Sequence, residues 1–160
     1  MAAPDAEKTE SATPVVAPLH AKEAHIPSPV VAMTGIPHLS QIETVPIGTH
    51  TPQNCFPYSQ TFNVHLTLDL SDVRIPADTQ FSYRASIYSK SLEGHPRQAV
   101  GNSSGTVTST DKVTVSVEGV ALPKGTYRLK AIVMLNPMTT EPAQQTGLVA
   151  SKVSDLLLIF

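Results

Sequence analysis

Thr61-Phe62-Asn63-Val64-His65-Leu66-Thr67-Leu68-Asp69-Leu70 decides the fold class. Phe62, Val64, Leu66, Leu68 and Leu70 alternate with Thr61, Asn63, His65, Thr67 and Asp69. Successive side chains of an extended chain point to opposite faces, so a strict period of two predicts a strand with one buried and one wet face. The pattern recurs downstream. Phe81, Tyr83, Ala85 and Ile87 alternate with Ser82, Arg84, Ser86 and Tyr88. Val113, Val115 and Val117 alternate with Lys112, Thr114 and Ser116. Tyr127, Leu129, Ala131, Val133 and Leu135 alternate with Arg128, Lys130, Ile132 and Met134. In that last segment the second face turns apolar halfway, which predicts a central strand or one covered on both sides.

Weaker strands are expected at Gln41–Val45, Gln98–Gly101, Thr106–Thr110 and Val153–Phe160, with Gly101–Gly105 read as a hairpin turn. No stretch carries a sustained helical repeat. Short strands separated by turn residues at close spacing predict an all-β, antiparallel, two-sheet sandwich of seven to eight strands. A small barrel is the alternative. The connections are too short for the crossover helices of a parallel sheet.

The composition changes near residue 57. Nine of the 14 prolines lie in residues 1–57, and all eight aromatics lie after Cys55. A proline-rich segment without aromatics has little apolar surface to offset the entropy of ordering. Residues 1–40 are therefore read as a proline-rich extended tail, and residues 41–160 as the sandwich domain.

Leu122-Pro123-Lys124-Gly125-Thr126-Tyr127-Arg128-Leu129 runs from a Pro/Gly turn into the longest alternating segment. A tyrosine just inside such a strand can bury its ring and return its hydroxyl to the turn backbone. This stretch resembles the tyrosine corner of immunoglobulin-like and fibronectin-type sandwiches. The resemblance is to a fold: one eight-residue motif and a strand pattern, in a chain with one Cys and no Trp. It implies a sandwich and names no activity.

The 160 residues are 41% hydrophobic and 15% charged, with 11 Lys+Arg against 13 Asp+Glu and a net charge of −2. That balance lacks the positive excess of a dedicated nucleic-acid binder, so no nucleic acid is expected as partner. Arg128 and Lys130 share one strand face, and Arg84 and Lys90 another. If those strands are neighbours, they form a small basic patch beside Tyr88. No apolar run reaches about 18 residues, so no membrane insertion is expected. The acidic, polar start Met1–Ser11 lacks a signal-peptide core, which leads to a cytoplasmic expectation.

Chemistry-bearing clusters are thin. The single Cys55 excludes a disulfide within the chain and a cysteine-built zinc site, and no base flanks it in sequence. His20, His25, His38, His50, His65 and His95 lack the spacing of a shared metal site, so no metal or cofactor is expected. Asp69 and Asp72 read as turn carboxylates rather than a catalytic pair.

A non-enzymatic protein-interaction or structural module is the expected function. The tail would engage a protein partner or a neighbouring subunit through Ser28, Pro29, Val30 and Val31, an apolar extended segment suited to adding a strand. In the apolar C-terminus, alternation is read with Leu156, Leu158 and Phe160 in the core. Leu157 and Ile159 would then point outward as a partner surface. The rival expectation is a small-ligand module, such as a carbohydrate-binding accessory domain of an enzyme system.

Overall fold

A computed structural model describes residues 34–74, 80–107, 112–138 and 147–160. These residues form nine strands and no helix. They are β1 (His38–Leu39), β2 (Glu43–Pro46), β3 (Cys55–Phe56), β4 (Phe62–Asp69), β5 (Phe81–Ser91), β6 (Gln98–Val107), β7 (Lys112–Val120), β8 (Gly125–Pro137) and β9 (Leu148–Ile159).

They divide into two sheets. In the smaller, β4 pairs antiparallel with β7 on one side and with β1 and β2 on the other. In the larger, the order is β3-β9-β8-β5-β6. All its pairings are antiparallel except β3 with β9. The strands expected from alternation are therefore present, and β8 is central, between β5 and β9. Ahead of β1, Thr34 forms an isolated bridge to Arg74, which lies beyond the end of β4.

The inner faces make one core. β4 contributes Phe62, Val64, Leu66 and Leu68, and β8 contributes Tyr127, Leu129, Ala131, Val133 and Leu135. Phe56 is fully buried and stacks on Phe62 with ring centroids 4.6 Å apart. Its neighbour Cys55 is exposed.

The turn before β8 behaves as a corner. The Tyr127 hydroxyl donates to the Pro123 carbonyl at 3.0 Å, and the ring is buried. Loss of hydration, with a smaller contribution from the negative Glu93, raises the phenol's pKa above its usual value of 10.0. A raised pKa in the folded chain means this contribution is complete below pH 10 and is lost as pH climbs through the folded value. As pH rises from 10.0 to the folded value, wild type is expected to lose stability more steeply than Tyr127→Phe, measured by urea denaturation across the alkaline range.

Two expectations are corrected. Gly101–Gly105 is not a turn but the middle of β6, paired along its length with β5. The glycines fit inward positions of that strand. A Cβ on Gly101 would stand 2.3 Å from Val117 Cγ1, and one on Gly105 would stand 2.6 Å from Tyr83 Cε1. Neighbouring side chains thus fill the space that a side chain on β6 would occupy.

The second correction concerns the C-terminus. Leu157 and Ile159 lie in the core at 2% and 3% exposure, while Leu156, Leu158 and Phe160 are exposed at 48%, 42% and 59%. The cause is a β-bulge. Lys130 pairs with Val153 and Arg128 with Leu156, so Ser154 and Asp155 together oppose Leu129. One extra residue moves every later side chain to the opposite face. Beyond the bulge, Tyr127 opposes Leu157 and Gly125 opposes Ile159, which places both apolar side chains inward. Ser154 Oγ accepts the Leu129 N–H at 2.9 Å, satisfying a donor that the irregularity takes out of the ladder.

Candidate functional site

The two outer faces differ in chemistry. On the smaller sheet, β4 and β7 present Asn63, His65, Thr67 and Asp69 beside Ser116, Thr114 and Lys112. Asp69 accepts the Ser71 N–H at 3.0 Å and lies 3.5 Å from Lys112 Nζ; Asp72 lies 3.0 Å from His38 Nε2. The backbone bond from Ser71, then Lys112, holds the Asp69 carboxyl below its usual pKa. The two carboxylates are turn and surface partners, as their sequence context suggested.

The outer face of the larger sheet combines apolar and basic residues. Its register sets them in rows. Lys90 of β5 opposes Arg128 of β8, which opposes Leu156 of β9. The next row is Tyr88, Lys130 and Val153; further along, Arg84 opposes Met134, which opposes Val149. Val149, Val153, Leu156 and Leu158 therefore stand exposed in a line down β9, interrupted by Ser151 between the two valines, with Met134 beside its upper end. Its run Val153, Leu156 and Leu158 departs from the polar outer face of the smaller sheet, and contiguous exposed apolar surface marks interaction sites.

The basic half is equally specific. Arg97 Cζ stands 3.7 Å from the Tyr88 ring centroid, stacking its guanidinium on the aromatic face. Tyr88, Lys90, Arg97, Arg128, Lys130 and Val153 are among the residues lining a shallow groove of about 520 Å³. Ion pairs among the described residues are His38–Asp72 and Lys112–Asp69, neither of them on this face. Like charges directly opposite each other on neighbouring strands are destabilising, so the Lys90–Arg128 pairing gives the fold nothing.

The edge of β9 is guarded while its face is open. Lys152 sits opposite buried Ala131, on the core side by register, yet is exposed. The bulge lies just beyond it, and Gln41 Nε2 donates to Asp155 Oδ2 there. An inward-side charge and a bulge are both devices that discourage addition of another strand.

The expected partner residues fare differently. Leu157 and Ile159 are buried and unavailable to a partner; their neighbours Leu156 and Leu158 occupy the surface instead. Ser28, Pro29, Val30 and Val31 lie outside the described residues. Because β5 and β8 pair along their length, Lys90, Arg128 and Lys130 form the basic patch beside Tyr88, whereas Arg84 stands apart from it, opposite Met134. Arg97, stacked on Tyr88, was missed, since its position depends on the turn between β5 and β6. Among the described residues, no three His, Cys, Asp or Glu side chains converge as metal ligands. A scan against protein-family models and a search of curated proteins both find no match.

Proposed function

We infer that this chain is a non-enzymatic interaction module built on an immunoglobulin-like sandwich, docking a protein partner or a second subunit on the outer face of the larger sheet. The observation that carries the reading is the exposed line Val149, Val153, Leu156 and Leu158 on β9. The immunoglobulin-like assignment draws on the separation of β4 and β7 from β5, β8 and β9, and on the corner at Tyr127. The proline-rich segment with Ser28, Pro29, Val30 and Val31 is a second contact in this reading, its apolar composition suited to lying against a neighbouring subunit.

Sedimentation velocity of fluorescently labelled full-length chain in extract of the cells that naturally make it tests this. Wild type is expected to sediment as a species heavier than its 17.0 kDa monomer. Leu156→Ser combined with Leu158→Ser is expected to sediment as the monomer. Identical sedimentation of the two proteins would contradict the reading.

A further inference from the structure

We propose that the groove beside Tyr88 and Arg128 receives the carboxylates of an extended polypeptide segment in which acidic and apolar residues alternate. This rests on the reading of the larger sheet's outer face as a docking surface, and names the chemistry of what docks there.

The charge arrangement is the first argument. Lys90 and Arg128 face each other across β5 and β8, and Lys130 follows on the same face of β8. A fold selected only for stability would set an acid opposite one of these cations. Among the described residues, neither nearby acid pairs with them: Glu93 accepts the Thr126 N–H at 3.3 Å, and Asp155, bonded by Gln41, borders Arg128 without an ion pair. Arg97 adds a guanidinium whose face is taken by Tyr88. Its N–H edge has the planar fork that pairs with a carboxylate.

Spacing is the second argument. Arg128 and Lys130 are two residues apart on β8, so they repeat at about 6.8 Å, the distance between alternate side chains of any extended chain. One strand over, at about 4.8 Å, Leu156 and Val153 repeat beside them. An extended segment above the β8–β9 seam would set alternate side chains over each lane. Acids would meet Arg128 and Lys130, and apolar residues would meet Leu156 and Val153. The guarded edge of β9 favours this face-on arrangement over strand addition.

Neighbouring apolar surface also decides among anionic ligands. A nucleic acid or sulfated polysaccharide would use the cations but leave Val153, Leu156 and Leu158 in water. An acidic–apolar peptide uses both halves.

The test is fluorescence anisotropy with full-length protein and a labelled peptide of about ten residues alternating Glu and Leu, long enough to span the rows. Binding is expected, and it should weaken as salt is added. The same peptide with Gln for Glu should bind about tenfold or more weakly. Arg128→Glu should reduce affinity for the Glu peptide by about tenfold or more. Its urea midpoint should equal or exceed that of wild type, because it turns the Lys90–Arg128 pair into an opposite-charge pair. Equal binding of the Gln and Glu peptides would overturn the proposal. So would tighter binding of oligothymidine or heparin than of the Glu peptide. A rise in affinity in full-length Asp5→Asn/Glu7→Gln would assign the groove to the chain's own N-terminal segment and overturn a partner's role. If Leu156→Ser with Leu158→Ser abolishes peptide binding while Arg128→Glu leaves it intact, the docking face stands and the carboxylate site falls.

Discussion

Replacing Leu157 and Ile159 together by serine is expected to unfold the isolated chain, whereas the same change at Leu156 and Leu158 leaves it folded. Both residues of the first pair are almost fully buried, opposite Tyr127 and Gly125 of β8. Truncating one large buried aliphatic side chain costs about 2–5 kcal/mol. A buried hydroxyl without a partner adds roughly 1–3 kcal/mol. Two such sites together match the total stability of an ordinary domain, about 5–15 kcal/mol. Leu156 and Leu158 are about half exposed, so each serine there should change stability by no more than about 0.5 kcal/mol. Circular dichroism and urea denaturation separate the outcomes. Equal destabilisation by the two pairs would mean that the bulge at Ser154–Asp155 does not set the facing of the C-terminus. Removing residues 156–160 altogether should also unfold the chain, because it strips Leu157 and Ile159 from the core and β3 of its partner.

Tyr127→Ala is expected to cost about 3–5 kcal/mol, and Tyr127→Phe about 1 kcal/mol. The difference separates two roles of one side chain. Its ring fills the core where the chain turns from β7 into β8, so alanine leaves a cavity bordered by both sheets. Its hydroxyl only closes the turn onto Pro123, so phenylalanine keeps the packing and loses one hydrogen bond. Urea midpoints for the two variants check this. Equal losses would mean that the hydroxyl, rather than the ring, carries the corner.

Strand β4 was legible because each of its apolar residues faces the core and each polar one faces out, with no irregularity between Val64 and Asp69. Strand β8 was legible for the same reason, and its half-apolar second face correctly marked it as central. The Tyr127 hydroxyl was placed correctly because a corner is local: acceptor and donor lie four residues apart. Where the reading failed, the deciding partner was distant in sequence. Gly101–Gly105 has a turn's composition, and only Val117 and Tyr83 packed over it explain why glycine stands in a strand. The C-terminal facing turned on Ser154 and Asp155 sharing one position opposite Leu129. That polar pair, set between Val153 and Leu156, was the one local sign that the apolar alternation changes phase there. The proposed interaction face was half legible. Arg84, Lys90, Arg128 and Lys130 were visible as cations, but their alignment with the apolar line of β9 exists only once β5, β8 and β9 are in register.

The proposed docking face is tested most directly by photo-crosslinking in the cells that naturally make the protein. A photoreactive residue replaces Leu158 on the larger sheet in one version of the chain, and His65 on the smaller sheet in another. Leu158 sits on the exposed apolar line, whereas His65 lies among polar neighbours opposite Glu43 and Ser116. A discrete protein adduct from position 158, with none from position 65, is the expected result. An adduct from position 65 alone would place the partner on the wrong sheet and contradict the account.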